Sequence, residues 1–287
     1  MTARIGQLVP LLKLRIGFAI AASALAGMAV AEGPAPSPLQ AAGLALAVLG
    51  GAGAAGAFNH YFERDTDRYM TRTRQRPFAN GTLSDSRWWV VSFALLLAAS
   101  VALAVVSSGP IAALYVFLGA ATYGLVYTVW LKRRTAWNIV VGGLAGSFAV
   151  LAGAAAVDPT PQLVPIILAI VLFLWTPPHF WSLAAARRDD YKAARVPMLP
   201  IVMPERIWTL AIVVHTAALV GLSLLLLGFG LGPIYGVCAA TGGSYFLWCT
   251  IQLYREPSRD RAMASFKASL IQLLLLVVGV VADTMVT

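Results

Sequence analysis

Asn59, Glu63 and Asp67 stand four residues apart in the stretch NHYFERDTDRYMTRTRQRP, Asn59 to Pro77. Side chains at i, i+4 and i+8 share one helix face. If the apolar run before Asn59 continues past it as a helix, the three form an oxygen-rich stripe at the helix end. Asp65 falls on another face. Two carboxylates and an amide oxygen suit a hard cation such as Mg²⁺, which binds through one or two carboxylates and a substrate's own phosphates. A solvated loop with local pairs between these acids and the five arginines of the stretch accounts for the spacing equally well.

A second acidic pair, Asp189 and Asp190, lies in WTPPHFWSLAAARRDDYKAARVPMLP, Trp175 to Pro200. Two acidic clusters facing one cavity suit two or more Mg²⁺ ions on a diphosphate. Lys132, Arg133 and Arg134, between the two clusters in sequence, offer cations for its remaining oxygens.

These groups sit in a chain of 287 residues that is 59% hydrophobic and only 11% charged. Soluble domains carry about 25% charged residues, so an ordinary soluble core is excluded. Apolar runs of membrane-spanning length recur at 14–31, 39–60, 88–107, 110–131, 137–157, 162–184, 207–228, 231–254 and 264–286. The expectation is an all-α polytopic membrane protein, a single domain over 1–287 with about nine transmembrane helices. The first run is long enough to span, and no cleavage-type signal precedes it.

The 21 Lys and Arg residues fall in alternate loops. They lie in the N-terminal arm (Arg4, Lys13, Arg15), after span 2, after span 4, after span 6 and around the 8–9 connection. By the positive-inside rule these loops are cytoplasmic, with the N-terminus on the same side. The net charge of +9 is thus explained by topology, and no nucleic-acid partner is expected. Spans 2 and 6 lie four crossings apart, so both acidic clusters reach the cytoplasmic rim. This pattern suggests a parallel repeat of spans 1–4 and 5–8 with span 9 added. Cys238 and Cys249 are separated by roughly 16 Å of helix, too far for a disulfide.

The chain resembles the UbiA-type membrane prenyltransferases, whose first motif reads N-D-x-x-D-x-x-x-D. Here His60 takes its second position and Glu63 that of its first paired aspartate. Within that group, FERDTDRYMTRTRQRPFANG (62–81), LKRRTAWNIVVGG (131–143) and the block with PPHFW (175–200) resemble the protoheme IX farnesyltransferases, or heme O synthases. Three departures stand out. GSFAVLAGAAAV (146–157) lacks the usual prolines, Arg195 stands where glycine is usual, and Lys13–Arg15 reads KLR in place of K-P-R.

The resemblance implies a UbiA-type helical bundle in the cell (inner) membrane. It implies farnesyl transfer from farnesyl diphosphate to a vinyl group of heme b, giving heme O and pyrophosphate. Asn59, Glu63 and Asp67 would hold one Mg²⁺, and Asp189 with Asp190 another. Arg64, Lys132 and Arg133 would neutralise phosphates. His179 has two readings: contact with heme, or satisfaction of backbone carbonyls freed by Pro177 and Pro178, which should kink or end the helix. His60, adjacent to the stripe, is a substrate-contact candidate. His215 within span 7 is either functional or simply packed. Tyr123 and Tyr127 line the cavity or form an interfacial belt. Gly50, Gly51, Gly53 and Gly56 allow close helix packing. The expected partners are the two substrates and membrane lipid, with a heme-handling protein or a homo-oligomer left open.

Overall fold

The computed structural model describes residues 5–286; Arg4 lies outside them. Among the described residues, nine long helices follow a short 3₁₀ turn at Val9–Leu12. They are α1 (Leu14–Ala29), α2 (Pro38–Phe62), α3 (Trp88–Ser108), α4 (Pro110–Leu131), α5 (Asn138–Val157), α6 (Leu163–Ala186), α7 (Glu205–Phe229), α8 (Pro233–Arg255) and α9 (Arg259–Val286). Among the described residues, all but α8 are both long and apolar enough to cross a membrane, the first when counted with the 3₁₀ turn as Val9–Ala29. The 23 residues of α8 reach about 34 Å, ample for a crossing. Thr, Gly, Ser and Gln replace aliphatic residues along it, so its mean hydropathy falls. It packs between α7 and α9.

Successive helices pack on one another, α1 also packs on α5, and α9 closes back on α6. At the α1–α5 crossing a methyl on Gly153 would overlap the Ala24 carbonyl, so the two backbones touch. The glycines of α2 act differently. A Cβ on Gly56 would stand 3.3 Å from Lys13 Cδ, so this position is the floor on which the Lys13 stem lies.

One expectation about local backbone is resolved by the structure. Pro177 and Pro178 do not end α6, which runs unbroken to Ala186. Packing of this buried segment outweighs the two lost hydrogen bonds. The freed Phe173 carbonyl lies against Gly143, where α5 is broken and no side chain intervenes.

Arg195 adopts φ 51°, in the left-handed region. Non-glycine residues are disfavoured there by about 1–2 kcal/mol, and glycine is not. Arg195→Gly should therefore leave the thermal unfolding temperature in detergent unchanged or raised. Arg195→Val should lower it, because a β-branched residue is a true outlier at positive φ.

Candidate active site

The stripe forms, although α2 itself ends at Phe62. The ladder continues through the cap: Glu63 N donates to Asn59 O at 2.9 Å, and Asp67 N donates to Glu63 O at 2.8 Å. Asn59, Glu63 and Asp67 are all buried, at 2%, 3% and 2% exposure. Asp65 is solvent-facing and pairs with Arg68 at 3.8 Å. Local pairing with the arginines of the stretch therefore occurs at Asp65, through Arg68, and also at Asp67, through Arg76, while only Asp65 is solvent-facing.

Each member of the stripe meets a cation from a different element. Lys13 Nζ donates to Asn59 Oδ1 at 2.7 Å and to the Tyr123 hydroxyl at 2.8 Å. Lys132 Nζ is ion-paired to Glu63, donating to Oε2 at 2.6 Å. Arg76 donates to Asp67 Oδ2 at 2.7 Å. Burial alone would raise the Glu63 pKa. Lys132, then Lys13 and Arg76, outweigh burial and hold it below the usual carboxylate range.

The π-helical stretch of α4, Thr122–Leu131, builds the wall opposite. Its five-residue register is closed by Lys132 N donating to Tyr127 O at 2.9 Å. Tyr123 and Tyr127 stack at 5.9 Å, and Lys132 Nζ lies 5.6 Å from the Tyr127 ring centroid. Thr128 Oγ1 accepts from Asn59 Nδ2 at 3.0 Å. The tyrosines therefore face the stripe and do not form an interfacial belt.

The second acidic cluster reaches the same rim. Asp190 Oδ1 accepts from Thr71 N at 3.0 Å, tying the segment after α6 to the loop after α2. Asp190 Oδ2 is buried without a hydrogen-bond partner. Asp189 is exposed beside it. Both line a rim cavity of about 480 Å³ together with Thr71, Arg187, Arg188 and Trp208.

Two candidate phosphate ligands stand apart. Arg64 turns outward, bonding Asp85 at 2.7 Å and the Tyr61 carbonyl at 2.8 Å. Tyr61 and Arg64 together hold the Asp85 carboxyl below its ordinary range. Arg133 is exposed, next to the inward-facing Lys132. Lys13 and Arg76, counted in the sequence as topology charges, belong to the site instead. For Lys13, which precedes the first span together with Arg15, the sequence carried no signal that set it apart from a topology charge.

His60 is buried beside the stripe, with Nδ1 unpartnered. His179 does not satisfy freed carbonyls: its Nδ1 bonds Ser269 Oγ at 2.7 Å. His215 bonds back to the Ala211 carbonyl at 2.8 Å and meets the Trp181 ring edge-on.

The residues fit Mg²⁺. Asn59, Glu63, Asp67 and the orphaned Asp190 oxygen are hard donors of the kind this ion takes, although the stripe residues do not line the cavity that Asp189 and Asp190 line. Among the described residues no group of three or more His, Cys, Asp or Glu is placed to hold a metal.

Residues 20–276 match the model of the UbiA prenyltransferase family. The chain is 54% identical over 99% of its length to protoheme IX farnesyltransferase 2 of Paramagnetospirillum magneticum, covering 98% of that protein. It is 47% identical to protoheme IX farnesyltransferase 1 of the same organism, over 96% of this chain and 98% of that one. A solved structure of digeranylgeranylglyceryl phosphate synthase superposes with a TM-score of 0.80 at 16% identity, over 99% of both chains. A UbiA homologue from Archaeoglobus fulgidus, bound to DMAPP and Mg²⁺, gives 0.71 at 16% identity, over 94% of this chain and 99% of that one. The family match over most of the chain and the near full-length identity to these relatives, on a helical bundle of the same fold as the solved structures, show that the chain is a membrane prenyltransferase belonging to the UbiA family.

Proposed function

We propose that the chain transfers a farnesyl group from farnesyl diphosphate to a vinyl group of heme b, forming heme O and pyrophosphate. The observation that carries the acceptor is the 54% identity over nearly the whole chain to a relative of that name. The buried stripe with its three cations supports the chemistry of the donor.

In this reading the diphosphate lies at the rim between the α2 stripe and the segment after α6. Asn59, Glu63, Asp67 and Asp190, with Asp189 beside them, would hold Mg²⁺. When bound, Mg²⁺ stabilises the negative charge that grows on the leaving diphosphate. Lys13, Arg76 and Lys132 can swing from their present partners to phosphate oxygens, exchanging one anion for another. The stacked Tyr123 and Tyr127 shield the farnesyl C1 from water. As the C1–O bond breaks, its electron pair leaves with pyrophosphate. The vinyl π electrons then form the new C–C bond, and water adds to the resulting cation with loss of a proton. The basic rim faces the cytoplasm of a cell whose inner membrane holds the protein, and the apolar product leaves through lipid or to a heme-handling protein.

The test is mass spectrometry of hemes extracted from cells with and without the gene. A hydroxyethylfarnesyl heme should appear only with the gene. A prenylated quinone or aromatic acid in its place would move the chain to another acceptor.

A further inference from the structure

His179 projects from α6 about two turns, roughly 10 Å, into the membrane from the helix end at Ala186. Its ring is held on several sides. Trp175 stacks on it with centroids 4.3 Å apart, Phe266 lies 4.7 Å away, and Phe180 meets it edge-on at 4.9 Å. Trp175 is itself anchored, donating from Nε1 to the Ser269 carbonyl at 2.9 Å. One step nearer the rim, Ser182 and Ser265 hydroxyls meet at 2.8 Å, fastening α6 to α9.

The hydrogen bonds around Ser269 determine which imidazole nitrogen carries the proton. A serine hydroxyl has one proton to give. Ser269 Oγ gives it to the Phe266 carbonyl at 2.6 Å, since a carbonyl only accepts. With the serine proton given to the nearer carbonyl, the contact between Ser269 Oγ and His179 Nδ1, at 2.7 Å, is assigned as donated by the imidazole. Nδ1 therefore carries the proton and Nε2 keeps its lone pair. A histidine tautomer set by the partner of one nitrogen leaves the other ready to bind a metal.

We propose that His179 Nε2 is an axial ligand to the iron of the porphyrin acceptor, and that Ser269 is the positioning residue that fixes its tautomer and ring angle. The bond is dative: the imidazole lone pair enters an iron orbital, with no electron transfer and no proton released. Imidazole is a common protein ligand to heme iron. Ligation at this depth places the porphyrin among lipid-facing helices, below a diphosphate bound at the rim. The proposal rests on the porphyrin reading of the acceptor given above.

The sequence contains three histidines, so the alternatives are few. His215 also carries its proton on Nδ1, donated to the Ala211 carbonyl, but Trp181 turns its ring edge to that imidazole. His60 stands beside the cations of the diphosphate site.

The tautomer is read first, without any variant, from ¹⁵N chemical shifts of the three histidines in ligand-free protein. His179 should show a protonated Nδ1 and a bare Nε2; a protonated Nε2 would overturn the proposal. Ferric heme b is then titrated into purified protein in detergent. Wild type should develop an imidazole-ligated optical spectrum that His179→Ala abolishes and His215→Ala keeps. Ser269→Ala should weaken heme binding about 10–100-fold, as loss of a ligand's supporting hydrogen bond does, and Ser269→Thr should restore it. Retained binding of an unreactive farnesyl diphosphate analogue confirms that each variant is folded. Ligation persisting in His179→Ala, or wild-type affinity in Ser269→Ala, would overturn the proposal. If heme b is farnesylated while wild type shows no nitrogen ligation, this inference fails and the proposed function stands. If heme b gives no product at all, the proposed function itself fails.

Discussion

Asp67→Asn should lower prenyl transfer by about 10²–10³-fold, the usual effect of losing one electrostatic contact at a site of developing charge. The substitution keeps the shape of a residue that is 2% exposed and removes its negative charge. It leaves a single carboxylate, Glu63, on the stripe. Glu63→Gln should have a similar effect, and chelation should stop turnover until Mg²⁺ is restored. Because Asp67 is paired with Arg76 at 2.7 Å, Asp67→Asn should also lower stability. Activity is therefore compared at a temperature where a thermal scan shows both proteins folded. Near-wild-type turnover in both variants would remove the metal-site reading.

The second large effect is on stability. Lys132→Met strands the Glu63 carboxylate, whose side chain is 4% exposed. Removing one partner of a buried ion pair costs about 3–5 kcal/mol. The pH dependence carries the sign. In wild type the folded Glu63 pKa lies below its unfolded value. Its contribution is therefore present above the unfolded pKa, about 4.3, and is lost as pH falls through the folded value. Without Lys132 burial dominates, and the folded pKa should rise above the unfolded one. Stability would then be lost as pH rises. Unfolding between about pH 4 and 7 should thus show opposite Glu63-dependent slopes in wild type and Lys132→Met. Glu63→Gln/Lys132→Met should abolish that slope and recover much of the stability while remaining inactive. Parallel curves for wild type and Lys132→Met would show that the pair contributes little.

The helices were legible because apolar runs of membrane length leave few alternatives. α9 begins at Arg259, ahead of the expected 264, because its first turn is polar and hydropathy does not register it. The acidic stripe was legible because i, i+4 spacing survives a break in α2 when the backbone ladder continues across it. The cations were not. Lys13 enters the site through a left-handed residue before α1 and a glycine floor on α2, neither of which has a periodic signature. Arg76 is distinguished from Arg72 and Arg74 only by how the loop folds back to Asp67. Arg64 was expected from the resemblance to face phosphate, but Asp85 draws it outward. The π-helical register that turns Tyr123, Tyr127 and Lys132 toward the stripe has no hydropathy pattern of its own.

The central claim is that this rim ionises farnesyl diphosphate for transfer to heme b. It is tested most directly with the purified protein in lipid vesicles, supplied with farnesyl diphosphate, heme b and Mg²⁺. Product hemes are followed by mass spectrometry and pyrophosphate by a coupled assay. The account predicts one hydroxyethylfarnesyl heme formed per pyrophosphate released, with both signals falling together in Asp67→Asn and on chelation. Pyrophosphate release with no modified heme, or heme product undiminished in Asp67→Asn, would contradict it.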